Sequence, residues 1–185
     1  MNKQSAYGVI NAVASSTPAR LVATLISWFE RIPQSLIAFV ARFSIAAVFW
    51  NSGQTKVEGL ALNFVNGEFS LGWPRLSESA LSLFQYEYQL PLLPPALAAM
   101  MAATAEHVFP LLLLFGLATR FSAAALLGMT LVIQLLVYPG AYATHGTWAA
   151  LLLYLMVCGP GVLSIDHLLK SRSGGLDSKG ASQWL

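Results

Sequence analysis

Residues 95–117 read PALAAMMAATAEHVFPLLLLFGL. Apart from Glu106 and His107, nothing in this stretch prefers water. A membrane-spanning helix needs about 20 such residues. In hydrocarbon only a helix satisfies its own backbone within one segment. The stretch therefore predicts a helix crossing a bilayer. Three further apolar segments read the same way, about 33–53, 121–138 and 146–163, the last being the shortest. The fold class they imply is all-α, a membrane four-helix transmembrane bundle, occupying residues 33–165.

Composition agrees. Of 185 residues, 56% are hydrophobic and 10% charged, against about 25% charged in an ordinary soluble domain. So few charges could not cover a soluble surface. The net charge of +2 comes from scattered side chains rather than a basic stripe, which excludes a nucleic-acid-binding role. Cys158 is the single cysteine. One thiol makes no internal disulfide, CxxC pair or zinc site, so no metal and no intrinsic cofactor are expected. Any redox chemistry would use a bound small molecule or a protein partner.

The segment before residue 17 lacks the sustained apolar run of a secretory signal. Ser16-Thr17-Pro18 is a helix-start signal. Leu21, Val22, Leu25, Ile26, Phe29 and Ile32 then recur at helical spacing, so residues 1–32 read as a tail followed by an N-terminal amphipathic interfacial helix. Pro33 separates it from the first span. Lys3, Arg20, Arg31, Arg120, Lys170, Arg172 and Lys179 fall on one side of the four spans, and Lys56 and Arg75 on the other. The Lys/Arg-rich side is cytoplasmic, so the expected setting is the cell inner membrane with both termini inside. Residues 57–94 form a long outer loop with an aromatic content that argues against disorder, and Ser77-Glu78-Ser79 opens a short interfacial helix within it. Residues 166–185, with Gly174-Gly175 and Gly180, read as a disordered cytoplasmic tail.

Two polar groups are candidates for function. The first is at the midplane. Arg42 lies about 9 residues above Pro33 and Glu106 about 11 above Leu117, which at about 1.5 Å per residue puts them within about 3 Å in depth. A lone charge at the bilayer centre costs several kcal/mol, so the two are expected to pair. The pair either fixes helix register or forms the charged floor of a substrate site. Pro110 removes the intrahelical donor to the Glu106 carbonyl, which would gather a carboxylate, a free carbonyl and the adjacent His107. The second group is an outer rim of Asn51, Lys56, Glu87, Gln134, Tyr138, His145 and Trp148. Gln134 and Tyr138 share a helix face. The rim is either a substrate-binding cavity or an ordinary aromatic belt with polar anchors; Gln134 is the member a belt explains least.

The run Arg42-Phe43 through Phe49-Trp50-Asn51-Ser52-Gly53-Gln54-Thr55-Lys56 resembles the DoxX family of small membrane proteins. So do Leu83-Phe84-Gln85-Tyr86-Glu87-Tyr88, Leu90-Pro91-Leu92-Leu93-Pro94-Pro95, Glu106 to Pro110, Gly116 to Arg120, Gln134 to Pro139, and Thr144-His145-Gly146-Thr147-Trp148 through Gly159-Pro160-Gly161 to Asp166-His167. The likeness covers roughly residues 35–170. It implies a four-span bundle and, more thinly, an inner-membrane subunit of a quinone-linked redox or oxidative-stress-related complex, with a bound quinone and a redox or soluble protein partner. Arg42, Lys56, Glu87, Glu106, Gln134, His145 and Trp148 match the family's recurrent polar positions. Competing readings are a small-solute transporter or permease, suggested by the midplane charges, and a scaffold that anchors a partner enzyme. Whether the chain is itself an enzyme, and whether it forms a homo-oligomer, stay open at this level.

Overall fold

A computed structural model describes residues 17–63 and 67–180; the tail expected before residue 17 lies outside them. Four helices are long and apolar enough to cross a membrane: Gln34–Gln54, Pro95–Phe115, Thr119–Val137 and Pro139–Cys158. The chain is a multi-pass membrane protein of all-α class with a small strand pair.

The first helix, α1 (Thr17–Phe29), leaves Leu21, Val22, Leu25, Ile26 and Phe29 exposed. The described residues leave nearly the whole helix uncovered. Pro33, extended at ψ 129°, ends the connection, and α2 (Gln34–Gln54) follows as the first span. Its buried residues, Ala38, Ala41, Arg42, Ile45, Ala46, Phe49 and Gly53, recur every three or four positions and make one face. Span two is α4 (Pro95–Phe115), whose buried face of Ala98, Ala99, Ala103, Glu106, Pro110 and Leu113 is mostly small. Small residues let helices approach closely in lipid, and α4 packs along α2.

The turn into α5 (Thr119–Val132) is as tight as the sequence suggests. Gly116 and Ala118 take left-handed φ of 66° and 48°, so α4 and α5 are antiparallel neighbours. The helix continues as one widened π-type segment, Ile133–Val137. Span four begins earlier than residue 146: a 3₁₀ turn at Pro139–Ala141 leads into α6 (Tyr142–Cys158), and Gly159 with φ 78° stops it. Proline at the start and glycine just past the end are the ordinary helix boundaries. They place His145 within the helix, near its start. The core joins Ile45, Phe49, Leu113, Leu126, Leu152 and Leu155 from all four spans.

Two expectations need correction. Residues 57–94 hold more than one short helix. β1 (Val57–Asn63) and β2 (Glu68–Leu76) pair antiparallel, with Leu62 opposite Phe69 and Leu60 opposite Leu71. The alternation Phe69, Leu71, Trp73 is the strand signal. The expected helix follows as α3 (Glu78–Ser82), where the Ser77 hydroxyl accepts from the Ala80 amide, and it widens into a π-type turn over Leu83–Tyr88. The stretch expected as a disordered tail is helical over most of its length: α7 spans Ile165–Gly180. It is anchored at its start, because Asp166 holds the amides of Ala118 and Thr119 at 2.8 and 2.9 Å.

Candidate functional site

The expected Arg42–Glu106 pair does not form: the two side chains lie at different levels. Antiparallel register decides this. A Cβ on Gly53 would sit 3.1 Å from the Glu106 Cβ, and one on Gly116 would collide with Arg42 Nη1. Gly53 is therefore level with Glu106 and Arg42 is level with Gly116. From Arg42 to Gly53 is about 11 residues, or about 16 Å of helix. Equal distances from the two span ends mislead because α2 extends well past the end of α4. Side-chain direction widens the gap, since each Cβ leans toward its own helix N-terminus and these helices run oppositely.

Arg42 instead closes the end of α4. Its Nη1 donates to the carbonyls of Leu113 and Leu114 at 3.2 Å each, and Nη2 donates to the Leu163 carbonyl at 2.5 Å. The last carbonyls of a helix have no intrahelical donor and carry its negative end. A buried guanidinium there answers both needs.

Glu106 pairs with Lys56, the residue expected on the rim. Lys56 Nζ lies 2.7 Å from Glu106 Oε2, and both side chains are almost wholly buried. The ammonium also donates to Ser52 Oγ at 3.0 Å and to the Ser52 carbonyl at 3.3 Å, while Ser52 Oγ donates to Glu106 Oε1 at 3.1 Å. Ser52 and Lys56 are one turn apart and share a face. That i, i+4 spacing is the readable signal for this triad. Glycine at 53 permits it: a Cβ there would also press within 2.9 Å of the His107 Nδ1.

His107 stands beside Glu106 in the chain but belongs to another network. Its Nδ1 faces the Ala103 carbonyl at 2.7 Å, an acceptor only, so Nδ1 carries the proton. Its Nε2 then accepts from the Gln54 amide at 2.8 Å, and Gln54 Oε1 takes the Leu62 amide at 2.7 Å. Trp50 packs edge-on against His107 and donates to the Leu62 carbonyl. His107 thus ties the hairpin to the first two spans.

The rim residues form two adjacent groups. In one, His145 Nδ1 meets Gln134 Oε1 at 2.7 Å, and Gln134 donates its amide to the Pro139 carbonyl at 2.7 Å. Trp148 lies between His145 and Phe49, with ring centroids 5.1 and 5.5 Å away. In the other, the Tyr138 hydroxyl donates to the Glu87 carboxylate. Tyr88 packs edge-on against Tyr138 at 5.7 Å and against Phe84 at 4.8 Å. Asn51 is exposed and joins neither group.

Tyr88 is half-buried beside Tyr138. Burial raises its phenol above the ordinary value. A hydrogen bond with Tyr138 opposes the rise, and the Glu106 and Glu87 carboxylates add to it. The Tyr138 phenol is pushed up strongly, chiefly by its bond to Glu87. Glu87, Tyr138 and Tyr88 thus form an exposed acid–phenol cluster at the rim, and Lys56 with Glu106 forms a separate buried ion pair. Of these, the sequence does not single out Tyr88, because its packing on Tyr138 depends on how α3 folds back. Among the described residues, no cluster of His, Cys, Asp or Glu is placed to hold a metal ion.

The DoxX family model matches residues 37–139, which takes in span one from residue 37 onward, spans two and three, the hairpin and the Lys56–Glu106 pair. No curated protein and no solved structure matches the chain significantly.

Proposed function

The chain belongs to the DoxX family, and from that premise we propose that it is the membrane subunit of a quinone-linked redox complex. In this reading it sits in the inner membrane with its Lys/Arg-rich end in the cytoplasm. The observation that carries the proposal is the rim cluster in which the Tyr138 hydroxyl donates to exposed Glu87 while Tyr88 packs edge-on against Tyr138. Oxidising a quinol releases protons as well as electrons, so a quinol site needs nearby acceptors and a route to water. Glu87, exposed at the rim, is the group that would pass protons out. The Lys56–Glu106 pair would hold charge constant beneath it. Tyr88, Tyr138 and Trp148 supply aromatic surface for an apolar headgroup, and the tyrosine hydroxyls supply hydrogen bonds. Electrons would go to a protein partner. The hairpin offers it a surface, since Leu71 and Trp73 are each 84% exposed.

Quinone extraction from the purified protein tests this. The expected result is a quinone retained at a level well above that of the accompanying lipid, and several-fold less of it in Tyr138→Phe. Quinone no higher than in the bulk lipid, or equal in both proteins, overturns it. The buried ion pair alone supports a second reading, a permease in which Lys56 and Glu106 exchange partners with a passing solute. Solute uptake into proteoliposomes that is lost in Lys56→Met, without bound quinone, would favour that reading.

A further inference from the structure

The opposite end of the bundle carries a second site, one the redox reading does not use. A cavity of about 670 Å³ opens where the first residues of α2, the start of α5, the end of α6 and the start of α7 meet. Arg120, His167 and Lys170 line it, and so does Thr119. Thr119 is fully buried, and its hydroxyl has no hydrogen-bond partner among the described residues. Native structures rarely leave a buried hydroxyl unsatisfied, so an oxygen-bearing occupant is the natural partner. The acid in the lining, Asp166, is already engaged, both its oxygens being held by the Ala118 and Thr119 amides at the positive end of α5. Arg120 uses one nitrogen, Nη2, on the Val157 carbonyl at 3.3 Å and keeps its other donors.

These features ask for an anion with several acceptor oxygens. The surroundings say which kind. The site lies at the ends of three spans, and Phe121 and Val162 in its lining are 67% and 54% exposed. An occupant there meets cations on one side and apolar surface on the other. Basic pockets between spans at the positively charged face take anionic headgroups. We infer that this cavity binds the phosphate headgroup of an anionic phospholipid, with Arg120 and the Thr119 hydroxyl as its donors.

The test uses the full chain in a neutral detergent and reads thermal unfolding as phosphatidylglycerol or phosphatidylcholine is added. Phosphatidylglycerol should raise the midpoint by several degrees more than phosphatidylcholine does. That difference should fall by more than half in Arg120→Gln and in Thr119→Val, and persist in Arg172→Gln, which lies outside the cavity. Arg120→Gln also loses the contact to Val157; Thr119→Val removes a hydroxyl bonded to none of the described residues, so it keeps the fold and serves as the cleaner variant. Equal effects of the two lipids, or an undiminished difference in both cavity variants, overturn the inference. If millimolar inorganic phosphate alone reproduces the shift, the ligand is a soluble phosphate compound and the lipid assignment is wrong. None of these outcomes depends on quinone binding, so this test and that of the redox reading fail separately.

Discussion

Arg42 and Glu106 are both charged, both buried and both within spans, yet the protein holds them by opposite means. Arg42 is neutralised by geometry: three main-chain carbonyls at the end of α4 and beyond α6 take its guanidinium. Glu106 is neutralised by a second ion, Lys56, and shares Ser52 with it. A charge satisfied by backbone cannot be released without opening a helix end. A charge satisfied by a side chain can be, because rotamers and protons move. The two charges are thus held by different kinds of partner, and the two arrangements can be broken separately.

The largest effect should come from Lys56→Met. It strands the Glu106 carboxylate, and breaking a buried pair on one side costs about 3–5 kcal/mol. Adding Glu106→Leu should recover most of that loss in detergent unfolding. If the double variant is no better than the single, the pair is not coupled and Glu106 is held by something else.

Arg42→Met comes next. It removes charged hydrogen bonds and takes the Arg42 donor from the Leu114 and Leu163 carbonyls, while Leu113 keeps the Gly116 amide, a loss of about 2–3 kcal/mol. Here Glu106→Leu should give no rescue, and the two losses should add, as distant sites do. Rescue would mean that Arg42 and Glu106 communicate after all.

Asp166→Ala should cost about 1 kcal/mol, the usual worth of an N-terminal helix cap. The loss should show first as faster hydrogen exchange at the Ala118 and Thr119 amides. Unchanged exchange there would show that α7 does not hold the α4–α5 turn.

The smallest effect is at the rim and appears only at high pH. Tyr138 ionises later in the folded protein than in the unfolded chain. Its contribution to stability is therefore fully present below the ordinary phenol value of 10.0 and is lost as pH rises above it. An ultraviolet titration should show one late-ionising tyrosine move back toward the ordinary value in Glu87→Gln. No movement would separate Tyr138 from Glu87 in solution.

Much of the architecture is legible in the chain itself. The spans at 34–54 and 95–115 lie within a residue or two of the apolar runs, since hydrocarbon demands length and apolarity that a sequence displays directly. The Gly116–Arg120 turn is legible too, because glycine signals a left-handed helix end. The hairpin and the earlier start of span four are also written in the sequence, as the alternation of Phe69, Leu71 and Trp73 and as Pro139 followed by Gly159. Each is obscured by a stronger signal, a long loop in one case and an apolar run in the other.

What the sequence alone determined is which segments enter the membrane, how many there are, and that charged residues within them need partners. Those follow from composition and from the cost of a bare charge in lipid. Which partner each charge finds was decided by tertiary structure. That choice depends on the vertical offset between α2 and α4, set where Gly53 and Gly116 let the neighbouring chain come close. A shift of one turn would leave every span just as apolar and exchange every polar contact, because hydrophobicity measures depth coarsely while a hydrogen bond tolerates only a few tenths of an ångström.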